Sequence, residues 1–144
     1  MTYPEATHAA EKLATLRKIN HPECILCGQD DRLGLGLNFT VTDDGSVTTD
    51  ADCDEFFQSY SGQLHGGILA LLLDGAMTNC LFAVGVTAVT GELAIRYLHP
   101  VTAGKPVKLT ARLKKTRPPL YLVEAELCQD GETAARASGK FIER

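Results

Sequence analysis

Asp74 lies inside the most apolar run of the chain, LHGGILALLLDGAMTNCLFAVG at residues 64–85. Burying an unpaired carboxylate is costly, so an acid held in such company calls for a partner or a task. Gly66 and Gly67 open the same run, directly after His65. The first backbone N–H groups of a helix have no intrahelical partner and carry the positive end of its dipole. Glycine at those positions lets a ligand approach the amides closely. Amides so placed suit the oxyanion that forms when a carbonyl is attacked. Asp74 would then drive the attack, as general base on water or as direct nucleophile, and the residues leave both roles open.

Reach decides how these groups can cooperate. Asp74 follows Gly66 by eight residues, which within one helix is about 12 Å along the axis. Contacts to a reacting carbon are nearer about 3 Å. One chain therefore does not bring both groups to one carbonyl. Two such helices, antiparallel across a two-fold axis, would present Gly66 of one copy to Asp74 of the other, which predicts a homodimer with two equivalent sites. Histidine as a residue type invites a general-base reading of His65, but a histidine just ahead of a helix is expected to fix the turn by hydrogen bonding. A His65-centred reaction remains the alternative. Met77 reads as packing or as the lining of an apolar pocket. Thr90, on the segment after the helix, could turn a hydroxyl toward the site.

The elements that position these groups follow from periodicity. Residues 5–19 place Ala9, Leu13, Leu16 and Ile19 at helical spacing. HPECILCGQDDRLG reads as loop, and LGLNFTVT as a strand running through Val41. Asp43-Asp44-Gly45 is a tight turn, after which SVTTDAD returns as hairpin partner. DEFFQSYSGQ leads by a loop or short turn into a helix from Gly67 to about Val84, apolar on nearly every side and so enclosed by other structure. Strands follow in VTAVTGELAIRYLHP, VKLTARLKKT and LYLVEAELCQ, and then, after the Asp130-Gly131-Glu132 turn, in TAARASGKFIE. One sheet must curl around one helix to hide it, an α+β arrangement. A single domain is expected over 1–144, with a helical extension at 1–22 and the core at 24–143.

CILCGQDDRLGLGLNF, QSYSGQLHGGILALLLDGAM, IRYLHPV and GETAARASGKF together resemble the hotdog-fold acyl-CoA thioesterases of the phenylacetic-acid-degradation type. The specific part is H-G-G-x5-L-D. The resemblance implies an antiparallel sheet wrapped around the long helix, thioester hydrolysis at Asp74 with the Gly66 and Gly67 amides as oxyanion hole, and a dimer or tetramer. In those enzymes an Asn or Gln side chain stands seven residues before the oxyanion glycine. Ser59 holds that spacing here, with Gln58 beside it. Coenzyme A carries phosphates, and Arg112, Lys114, Lys115 and Arg117 form the densest basic group available to meet them. The fold also supports acyl-thioester hydratases and dehydratases, and a non-catalytic acyl-CoA-binding role is a further alternative.

Other classes find little support. A net charge of −4 does not favour nucleic acid. Asp74 and Asn79 interrupt the longest apolar run, short of a membrane span, and residues 1–20 have no signal-peptide core, so a cytoplasmic protein is expected. No G-x-S-x-G elbow or phosphate-cradling G-x4-G-K-[ST] loop occurs. Five cysteines, at 24, 27, 53, 80 and 128, do not suggest a disulfide framework. Cys24 and Cys27 with His21 make half a zinc site or a redox pair, yet no second C-x2-C or H-x3-H follows. A closed tetrahedral site would need a remote or intersubunit ligand, so reduced structural thiols and no metal or organic cofactor are expected.

Overall fold

A computed structural model describes residues 3–29 and 34–144. Helix α1 (Tyr3–Asn20) is followed by strands β1 (Thr40–Val41) and β2 (Val47–Asp52), then a single 3-10 turn at Glu55–Phe57. Helix α2 (Gly66–Ala83) comes next, and strands β3 (Ala88–Tyr97), β4 (Pro106–Arg117), β5 (Leu120–Gln129) and β6 (Glu132–Glu143) complete the chain. The strands form one antiparallel sheet in the order β1-β2-β4-β5-β6-β3. The β3 strand thus leaves α2 for the far edge, beside β6, with its other side unpaired among the described residues.

Alternation in the strands sends one face to the helix. Val107, Leu109 and Ala111 of β4, Tyr121, Val123, Ala125 and Leu127 of β5, and Ala135, Ala137 and Phe141 of β6 are buried. Leu72, Leu73, Ala76, Met77, Cys80, Leu81 and Phe82 of α2 meet them in one core. By length and composition α2 could cross a membrane, despite Asp74 and Asn79, but here protein covers most of it. A helix this apolar has no hydrophilic face, and the curled sheet supplies the enclosure it needs.

Two expectations change in detail. The strand expected over LGLNFTVT is confined to Thr40–Val41. Leu35 N–H and Leu37 N–H bond the carbonyls of Ile25 and Leu26 instead, so this backbone is satisfied by the neighbouring loop rather than by the sheet. Ile19 was grouped with the buried face of α1 but is 68% exposed, whereas Ala9 and Leu13 are buried. The part of the expected loop at 30–33 lies outside the described residues. The turn at Asp130-Gly131 does form, with φ of 54° and 77°, the conformation a two-residue hairpin loop asks for.

Candidate active site

Helix α2 begins where the chain turns at His65. The imidazole Nδ1 accepts the Gly67 N–H at 2.8 Å and so caps the helix. A β-carbon on Gly67 would stand 3.1 Å from that Nδ1, so glycine makes room for the cap. This cap alters the expected oxyanion hole. The Gly67 amide, which was to share the oxyanion with Gly66, already has an acceptor. The Gly66 amide has none among the described residues. His65 takes the orienting role, with its Nδ1 lone pair committed to the backbone.

Asp74 is half-buried, not sealed. Its Oδ1 accepts a hydrogen bond from Thr90 Oγ1 at 2.6 Å. Thr90 stands near the start of β3, beside a register shift between Thr90 and Glu92. At the other end of β3, Tyr97 Oη donates to the Gly66 carbonyl at 2.9 Å. A β-carbon on Gly66 would lie 3.5 Å from the Tyr97 ring, an ordinary contact. Tyr97 was not anticipated as a site residue. Its signal is its place at the end of the strand that follows the helix, visible only once the pairing of that strand with α2 is known.

The remaining candidates scatter. Gln58 Oε1 accepts the Gly62 N–H at 2.9 Å, and the Ser59 N–H donates to the Gln63 carbonyl at 2.9 Å. Both residues thus hold the 58–63 loop, which in turn is tied to the helix start by the His65 N–H bonding the Phe57 carbonyl. Met77 is fully buried beneath β6, where a β-carbon on Gly139 would come 3.3 Å from its Sδ and Cε. Within this chain it packs in the core, the first of the two roles its residue type allowed.

The basic group is also displaced from the acid. Arg112 lines a groove of about 590 Å³ together with Arg96 and Arg136. Lys114 and Lys115 line a smaller one of about 370 Å³. Arg117 lies near Leu120 and Leu122. These neighbours are the outward residues of the strands, so the sheet stands between the four cations and Asp74 within one chain. Lys114 moreover pairs with Glu124 at 3.8 Å. Within one chain the basic group expected to meet the phosphates of coenzyme A thus lies across the sheet from Asp74.

A six-stranded antiparallel sheet curled about one apolar helix, with an acid on that helix and a glycine at its start, defines the hotdog class. The thioesterase superfamily model matches residues 61–135, from the loop before α2 into β6, and the chain belongs to that family. Human acyl-coenzyme A thioesterase 13 is 28% identical over 100 residues, covering 68% of this chain and 67% of that protein. The PaaI protein of the Escherichia coli phenylacetic acid degradation operon superposes with a TM-score of 0.79 over 96% of both chains, at 23% identity, a likeness of fold. A thioesterase superfamily protein of known crystal structure is 26% identical with a TM-score of 0.72, over 76% of this chain. The chain spans 55% of the length of that relative.

Proposed function

We propose that the protein hydrolyses acyl-CoA thioesters at two equivalent sites, each built from two copies of the chain. Asp74 activates a water or attacks the carbonyl itself, the Gly66 N–H receives the oxyanion, and the free thiol and the acid leave. The similarity to acyl-coenzyme A thioesterase 13 supports the substrate class.

The observation that carries this reading is the placing of the two groups at opposite ends of one edge strand. Thr90 ties Asp74 to the start of β3, and Tyr97 ties Gly66 to its end. Their separation on one helix, about 12 Å, is too long for a shared carbonyl. An antiparallel pairing of β3 with its copy, centred near Ala94, runs Thr90 of one chain toward Tyr97 of the other. Asp74 then meets the second chain's Gly66. The same register sets Glu92 opposite the copy's Arg96, a favourable cross-strand charge pair. An unpaired strand of ten residues with Val89 45% exposed is, moreover, an edge that proteins normally cover.

His65 is a poor centre for hydration or dehydration chemistry because its Nδ1 holds the helix start. The test is a thiol-release screen over short, long and aromatic acyl-CoAs, run with the wild type and Asp74→Asn. We expect at least one thioester to be cleaved, with turnover falling about 10²–10⁴-fold in the variant. Equal rates for both proteins remove Asp74 from the mechanism, and tight acyl-CoA binding without thiol release makes this a binding protein.

A further inference from the structure

The loop between α1 and β1 carries a second cluster that the hydrolytic reading does not use. His21 follows the end of α1, and Cys24 and Cys27 follow in the next turn. One potential ligand atom from each of the three lies within 4.8 Å of the others. Cys27 Sγ is 3.4 Å from His21 Nδ1. Ligand atoms around a tetrahedral zinc stand about 3.5–3.8 Å apart, given Zn–S near 2.3 Å and Zn–N near 2.0 Å. The Cys27–His21 pair is thus within a few tenths of an ångström of what the ion requires, and the Cys24 ligand atom stands within 4.8 Å of both.

The backbone supports the same reading. The Leu26 N–H points at Cys24 Sγ at 3.4 Å, and the Gly28 N–H bonds the Cys24 carbonyl at 2.9 Å. Amides turned onto a sulfur stabilise it as thiolate, the form that binds metal. A β-carbon on Gly28 would come within 2.6 Å of the Cys24 backbone, so this turn closes only with glycine after the second cysteine. The His21 ring stands edge-on to Phe82 of α2, with centroids 5.1 Å apart, which fixes its orientation. Asn79 of α2 is fully buried, and its Oδ1 has no hydrogen-bond partner among the described residues. Such an atom in a native interior asks for an explanation.

We propose that His21, Cys24 and Cys27 form a zinc site, with Asn79 as the outer residue that serves it. Two thiolates and one neutral imidazole balance the charge of Zn²⁺, and two protons leave as it binds. The fourth position falls to a water, and Asn79 Oδ1 is the buried acceptor such a water needs. The Asn79 side chain stands within hydrogen-bonding reach of the Cys27 thiol. The ion would fasten the loop at 21–28 to α2. Leu26 of that loop sits where a side chain on Gly75 would be, one residue from Asp74.

The test uses the full chain, purified without chelator and without a histidine tag. Its zinc content is measured directly, and the metal-stripped protein is then titrated with cobalt(II). We expect about one zinc per chain and a thiolate-to-cobalt charge-transfer band. Cys24→Ser and Cys27→Ser should lose the band, whereas Cys128→Ser, outside the cluster, should keep it. The wild-type spectrum decides the matter even where a variant fails to fold. No retained zinc together with no charge-transfer band overturns the proposal, as does a Cys24–Cys27 disulfide in the native mass, or a band that survives both cluster substitutions. Thioesterase activity is not the readout, so this result stands apart from the fate of the hydrolytic reading.

Discussion

Along α2, the side packed into the core is closed by Leu72, Leu73, Met77 and Leu81, all without meaningful exposure. The side along β3 carries Gly66 and Asp74, half-exposed and tethered by single hydrogen bonds to Tyr97 and Thr90. The closed side is complete in one chain, since every apolar group on it has found a neighbour. The open side is incomplete, because a free amide at one end and a carboxylate two turns along face the same unpaired strand. The lesson is that one helix serves two masters. Its packing belongs to the single chain, and the chemistry we propose for it to a pair of chains.

The contrast can be broken by substitutions that touch one side and spare the other. Gly66→Pro should have the largest effect on turnover. Proline at the first helical position is tolerated, and the extended backbone of His65 (φ −62°, ψ 135°) suits a following proline. The helix therefore survives while its free N–H is removed. We expect kcat to fall about 10²–10³-fold, the usual cost of one oxyanion donor, with an unchanged urea midpoint. A matching fall in stability would mean that the amide is structural. Met77→Ala probes the closed side, where it should lower stability by about 2–5 kcal/mol and leave the KM for acyl chains alone. A shift in chain-length preference would return Met77 to the substrate pocket. Thr90→Val sharpens the open side with a smaller effect. Loss of the hydrogen bond that orients Asp74 should reduce kcat about tenfold with stability nearly constant. A Thr90→Ser variant should recover most of that loss, which a purely steric role for the methyl group would not allow.

The same division explains what could be read from the sequence. Alternation in Val107, Leu109 and Ala111, and the run from Gly66 to Ala83, are repeated signals, so the sheet and the enclosed helix could be named before the coordinates. Asp74 was conspicuous because it violates its surroundings. What escaped reading depends on partners distant in the chain. Tyr97 reaches Gly66 across 31 residues. The Gly67 amide is taken by a side chain only two residues away, but the rotamer that does so has no signature in residue type. Met77 has the composition of either a pocket or a core, and only its position beneath Gly139 settles it for the core. The basic residues of β4 alternate outward with the strand, a parity that the register shift between Leu113 and Lys115 obscures in the sequence.

A mixing experiment puts the central claim to the test most directly. Asp74→Asn and Gly66→Pro proteins, each inactive alone, are combined, dissociated and reassociated in equal amounts. If each site takes Asp74 from one copy and Gly66 from the other, half of the dimers are mixed and each mixed dimer holds one intact site. Activity should then return to about one quarter of the wild-type level. Mixed dimers that form in the expected proportion yet remain as inactive as the separate variants would contradict the account, because both groups would then have to work within a single chain.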